Sequence, residues 1–257
     1  MKQLKFQIPA FLITCLILII TTASQNKPTG KNIFQQTANN GFAVMELFTS
    51  QGCSSCPPAD NLLGKYAAMH NDHIIALAFH VDYWNRLGWT DSFSSAKYSR
   101  RQRDYAMIID NASVYTPQLI INGEKEFVCS DEGKIAAAVS SALITKPAIA
   151  ISIDKIDKEG KNITVNYKLD MILKNITMQA VLVQKQIFTN ILKGENRGLK
   201  LTNYNVVRDL NNSHISNISS AIHLNLPVGY NDKDFEVVLF VQDDASGKII
   251  GAQKKEL

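Results

Sequence analysis

Dense positive charge is missing from this chain, and so is a framework of cysteines. The 257 residues carry a formal charge of +4, which falls to +2 once Lys2 and Lys5 are set aside as part of a leader. No Lys/Arg face of the density that nucleic acid demands is present, so nucleic acid is not an expected partner. The cysteines number four; with Cys15 in the leader, Cys53, Cys56 and Cys129 remain. An odd set argues against a structural disulfide framework. Zinc would need a second Cys/His pair at ligand spacing, which is absent. There is no Met-rich or His-rich tract, no internal repeat and no low-complexity segment. Nothing in the sequence calls for a cofactor. With 46% hydrophobic and 19% charged residues, the composition is that of an ordinary globular protein able to bury a core without staples.

What is present begins with a leader. Lys2 and Lys5 precede the apolar run Ile8 to Ile20, and Thr22-Ala23-Ser24 offers small residues for cleavage. This layout predicts a signal peptide over 1–24 and export to the periplasm or cell envelope. An uncleaved anchor is the competing reading, but the run is shorter than the roughly 20 residues of a comfortable span. Cys15 is not read as a lipidation site, because Thr14 precedes it and Leu16 to Ile20 follow it. Residues 25–40 are polar and read as a tether. Disulfides persist in the compartment that export implies.

Ala43 to Phe48 and Ile74 to Phe79 read as buried strands. Between them Ala59, Leu62, Leu63, Tyr66 and Ala67 follow helical spacing. Phe93 to Ile109 reads as a helix whose Arg100 to Arg103 run is a solvated face. Gln118 to Ile121 and Glu126 to Cys129 read as a hairpin about Asn122-Gly123. Ile135 to Leu143 is helical, with Pro147 beyond its end. The order is β-α-β-α-β-β-α over 41–146. Past Pro147, short strands at Ile149, Ile163, Met178, Ile215 to Leu226 and Phe235 to Val241 predict a β-sandwich-like second domain over 147–257.

The chemistry-bearing feature is Cys53-Ser-Ser-Cys56, set between the first strand and the first helix. Helix N-termini stabilise a thiolate, so Cys53 is the expected attacking thiol and Cys56 the resolving one, the two closing a disulfide. Pro57 and Pro58 fit only a first helical turn, which leaves Cys53 on an exposed loop. His80-Val-Asp-Tyr-Trp84 follows the second strand, so Asp82 and Trp84 are expected to border the dithiol. Cys129, among apolar neighbours, is expected to be an inert core thiol.

A strand, a C-x-x-C opening a helix, and a later Thr116-Pro117 before a strand resemble the thioredoxin superfamily. The segments Glu46 to Asp60, Phe79 to Trp84 and Val114 to Gln118 narrow this to a resemblance with an uncharacterised family of secreted thioredoxin-like proteins. That family is known only as a domain of unknown function. Gly194 to Gly198 and Asn205 to Arg208 extend the match more weakly. The resemblance implies a cis Pro117 facing the dithiol and a Thr116 backbone that meets an extended substrate chain. It also aligns Glu46 with the buried acid that takes the resolving thiol's proton, against which stands a salt-bridged structural role. A right-handed parallel arrangement makes the first and third strands neighbours, with their loops at one edge. Gly52 stands where many thioredoxins have Trp. The resulting expectation is an extracytoplasmic thiol–disulfide oxidoreductase acting on protein thiols or disulfides, with a membrane redox partner as a further expectation. Its rivals are a copper-handling protein using Cys53, Cys56 and His80, and a redox-inert binding module.

Overall fold

Ala43–Thr49 (β1) and Ile74–His80 (β2) are buried at every position. Burial on both faces is the signature of strands inside a sheet with cover on each side. In the computed structural model they pair in parallel, from Ala43↔Ile74 to Thr49↔His80. The structure describes residues 41–109 and 113–257, and Met1. Apart from Met1, the expected leader and tether lie outside the described residues. Among the described residues, no helix is long and apolar enough to cross a membrane.

The crossover between β1 and β2 is Pro57–Ala67 (α1), whose prolines occupy its first two positions and whose N-cap is Cys56. A second helix, Ala96–Ile108 (α2), starts where the Ser95 side chain accepts from the Lys97 N–H. Its Arg100 to Arg103 run is not wholly a solvated face: Arg101 turns inward. Gln118–Ile121 (β3) then runs antiparallel to β1, with Phe48 opposite Gln118. The expected neighbours are therefore adjacent but opposed in direction. The opposition itself sets the start of β3 beside the end of β1, which brings Thr116-Pro117 to the edge where β1 ends. Lys125–Val128 (β4) closes the hairpin. Asn122 and Gly123 both have positive φ, within the three-residue connection 122–124 between the paired Ile121 and Lys125. Glu132–Leu143 (α3) follows, its Lys134 N–H bonded to the Asp131 side chain.

The second half is all strand apart from a 3-10 turn at Asp232–Asp234. Its strands are Ile151–Glu159 (β5), Asn162–Leu169 (β6), Ile176–Asn190 (β7), Lys200–His214 (β8), Ser219–Asn225 (β9), Phe235–Asp243 (β10) and Ile249–Glu256 (β11). They do not make a sandwich separate from the first half. One eight-stranded sheet has the order β11-β10-β7-β8-β2-β1-β3-β4, and a three-stranded sheet has the order β5-β6-β9. The join is parallel, with Ala78 opposite Val206. Asn205 strengthens it by donating its side-chain amide to the Ala76 carbonyl at 3.0 Å. Without β8, β2, apolar from Ile74 to Phe79, would be an open edge, a state that proteins avoid.

Alternation along β7 and β10 divides the core. Met178, Ala180, Leu182, Val237, Leu239 and Val241 pack with the three-stranded sheet. Their neighbours Val181, Val183, Val238 and Phe240 pack with Phe48, Phe79, Tyr98 and Tyr105 of the first half. Period-two burial on two apolar sides explains why Phe235 to Val241 reads as an unbroken run. The described part belongs to one compact unit, Ala38–Leu257, and the expected boundary near 145–148 does not divide it.

Candidate functional site

The chain leaves β1 at Thr49 and turns at once. The Cys53 N–H bonds to the Ser50 carbonyl at 3.1 Å, and the Cys56 N–H to the Cys53 carbonyl at 3.2 Å. Pro57 and Pro58 follow where their missing N–H groups cost nothing. Cys53 and Cys56 are joined by a disulfide, with Cα atoms 5.4 Å apart. Both are fully buried, and only Ser54 and Ser55 between them are exposed. The expectation of an exposed Cys53 is therefore overturned; residues from the second half bond the loop that carries it.

Those residues come from the β7–β8 hairpin. The buried Asn196 side chain donates to the carbonyls of Gln51 and Cys53, each at 2.9 Å. Glu195 accepts from the Ser54 N–H at 3.2 Å. The Gln51 side chain donates to Thr189 at 3.0 Å and to Asn203 at 3.3 Å, and accepts from the Trp89 indole at 3.0 Å. None of these contacts was predicted from sequence. Only the weaker match over Gly194 to Gly198 hinted at them.

Trp84 does border the dithiol loop: a Cβ on Gly52 would lie 3.4 Å from the Trp84 Cβ. Its indole donates to the Thr116 hydroxyl at 2.8 Å. The Thr116–Pro117 peptide bond is cis. Gln102 supports this loop by donating to the Tyr115 carbonyl and the Gln118 side chain, both at 2.7 Å. Asp82 instead faces α2, accepting from the Ser99 hydroxyl at 2.5 Å.

Glu46 is fully buried and its carboxylate is grasped by Arg101 at 2.5 and 2.9 Å, with the Tyr105 hydroxyl donating at 2.5 Å. Burial disfavours the Arg101 charge, but the Glu46 carboxylate outweighs it and holds the guanidinium above its usual pKa. The guanidinium also lies over the rings of Tyr105, Phe240 and Phe79. Of the two roles open to Glu46, the structure fits the salt-bridged one.

A different acid lies one turn from Cys56. Asp60 follows Cys56 by four residues, its N–H bonded to the Cys56 carbonyl at 3.0 Å. Residues so spaced share a helix face. Some of the residue reaches solvent, but its carboxyl is enclosed. Burial raises its pKa to about 6, against the opposing pull of His80 and of the Thr49 hydroxyl. That hydroxyl is buried with no hydrogen-bond partner among the described residues, so it faces Asp60 without a formed bond. His80 and Asp91 form a buried pair at 2.7 Å. Burial alone would lower His80, but Asp91 and then Asp60 hold it above its usual value. Asp91 also accepts from the Gln51 N–H at 2.9 Å, which ties this pair to the dithiol loop. Cys129 is buried, and burial followed by the Asp60 charge pushes its thiol up to about 12.

His80 thus pairs with Asp91. Among the described residues, no group of three His, Cys, Asp or Glu side chains is arranged to hold a metal ion.

A family profile described as "Protein of unknown function (DUF1223)" matches residues 44–242. No curated protein matches the sequence. A crystal structure of an Agrobacterium tumefaciens protein is similar at 28% identity and a TM-score of 0.62, covering 85% of this chain and 95% of that one. A β-glucosidase from Kluyveromyces marxianus in complex with glucose reaches only 11% identity and a TM-score of 0.20, over 43% of this chain and 14% of its own. Overlap that slight carries no argument.

Proposed function

This chain belongs to the DUF1223 family, whose description assigns no activity, and from that premise we propose that it is an exported thiol–disulfide oxidoreductase with a thioredoxin-like fold over 41–146. The observation that carries the reading is the Cys53–Cys56 disulfide at the head of α1, with an acid of raised pKa one turn behind it. The strand order β2-β1-β3-β4, parallel in its first pair and antiparallel in the next two, supports the fold assignment. The leader-like first 24 residues support export.

In the reduced protein the Cys53 thiolate attacks a sulfur of a substrate disulfide. A Cys53–substrate mixed disulfide forms and one substrate sulfur leaves as a thiolate. Cys56 then attacks the Cys53 sulfur, closing the internal disulfide and releasing the second substrate sulfur. Asp60 receives the Cys56 proton, and the reverse sequence oxidises a dithiol. Glu46 takes no part, because Arg101 holds its carboxylate. The substrates are protein thiols or disulfides, with a membrane partner resetting the dithiol.

The test is equilibration of the purified protein with glutathione buffers. A defined potential for the Cys53/Cys56 pair, together with exchange activity lost in Cys53→Ser, supports the reading. A pair that neither equilibrates nor exchanges with any disulfide tested leaves a redox-inert module.

A further inference from the structure

Cys53 is the expected nucleophile, yet it has no exposed surface. Two residues that bond the backbone of its loop belong to the connection between β7 and β8, more than 140 residues later in the chain. Two side chains of that connection touch the dithiol loop in chemically different ways. Asn196 is neutral and buried, and it binds two backbone carbonyls, one of them that of Cys53 itself. Glu195 is exposed and charged, and it binds the amide of Ser54, the residue next to Cys53.

We propose that Asn196 and Glu195 are positioning residues of the dithiol, Asn196 holding Cys53 in its buried position and Glu195 opposing ionisation of its thiol. The inference rests on the exchange reading, since it takes Cys53 as the attacking sulfur. The Ser54 N–H belongs to the turn between the two cysteines, and Glu195 places a negative charge on it, one residue from Cys53. In the disulfide form no charge opposes that carboxylate. After reduction a Cys53 thiolate would form next to the amide that holds it, and the two negative charges would repel. The other titratable groups around Cys53 are Cys56 beside it and the Asp60, His80 and Asp91 cluster tied to the loop through Gln51. The cations of the same connection are Lys193 and Arg197, both exposed.

The experiment is the pH profile of Cys53 alkylation in the reduced full chain, read by mass spectrometry of the Cys53 peptide. Removing one like charge near the thiolate in a solvated setting is expected to lower its pKa by about half a unit. Glu195→Gln should therefore raise the rate below the pKa about threefold in low salt. At 1 M salt, where screening acts within about 3 Å, the gain should disappear. A profile that does not move, that moves upward, or that keeps its shift at 1 M salt overturns the role of Glu195. Asn196→Ala should instead raise the rate plateau above the pKa, because the Cys53 carbonyl loses the donor that fixes it in its buried position, and salt should not alter this gain. An unchanged plateau overturns the role of Asn196. If that variant does not fold by circular dichroism, Asn196→Leu, which keeps the size and loses the donor without adding charge, replaces it under the same criterion. Exchange with a protein disulfide is measured separately. A shifted profile with no exchange activity would reject the oxidoreductase reading and leave this inference standing.

Discussion

The Trp84 indole N–H donates to the Thr116 hydroxyl at 2.8 Å, joining the loop after β2 to the loop before β3. The same residue backs Gly52. One side chain therefore ties the dithiol loop to the cis Thr116–Pro117 segment. Trp84→Phe keeps the ring and deletes the donor. A lost hydrogen bond of this kind costs about 1 kcal/mol. Urea unfolding should show a loss of that size, and exchange with a protein disulfide should slow more than exchange with a small one. Equal slowing for both substrates would argue against a substrate-positioning role.

Cys129 and Cys53 should separate cleanly. Burial and Asp60 push the Cys129 thiol up to about 12, so at neutral pH it is a protonated core side chain. Cys129→Ser should leave exchange near the parent rate, with stability lower by roughly 1–2 kcal/mol. Cys53→Ser should abolish exchange without unfolding the chain. Insulin-disulfide reduction by both variants is the measurement. Equal loss in two folded variants would show that the roles are wrongly divided.

Asp60 and Glu46 differ in a way that pH reveals. The folded pKa of Asp60 is about 6, above its ordinary value of 3.8, so the folded state holds this proton more tightly than the unfolded chain. Its stabilising effect is complete below about 4 and is lost as pH rises through about 6. Asp60→Asn should thus stabilise the protein at pH 7–8 by on the order of 2 kcal/mol relative to the parent, while flattening the pH dependence of Cys56 closure. Glu46→Gln leaves Arg101 buried without its counter-charge and should cost about 3–5 kcal/mol. In a variant that still folds, it should leave the pH dependence of closure untouched. Denaturant titrations from pH 4 to 8, with quenched-flow trapping of the mixed disulfide, test both.

A fragment spanning Gly41 to Leu143 should not fold by itself, contrary to the two-domain expectation. Removing β7, β8 and β10 strips Val181, Val183, Val207, Val238 and Phe240 from the core that holds Phe48 and Phe79. It also exposes β2 as an apolar edge and deletes the hairpin that bonds the Cys53 loop. Circular dichroism and amide hydrogen exchange on the fragment should show little protection. A cooperative unfolding transition would restore separable domains.

The amino-acid sequence alone determined the local elements of the first half. Asn122-Gly123 dictates its turn through backbone sterics, Pro57-Pro58 dictates where α1 begins, and apolar spacing marks the buried faces. Each of these depends on neighbours a few residues away, and so did the Cys53/Cys56 pairing. Long-range partners were decided only by the tertiary structure. The run Phe235 to Val241 is equally apolar whether it closes a sandwich or extends a shared sheet, because residues with two buried faces carry no mark of which sheet they join. Glu46 could be read as a proton acceptor until Arg101 came in from α2 to hold it. Asp60 drew no reading from the sequence, because the burial that raises its pKa, and the His80 and Asp91 charges that act on it, come from the tertiary structure. The loop that carries Cys53 is held by Asn196 and Glu195, polar residues with no periodicity. Their significance arises only when the folding of β8 against β2 carries the hairpin across more than 140 residues to the dithiol.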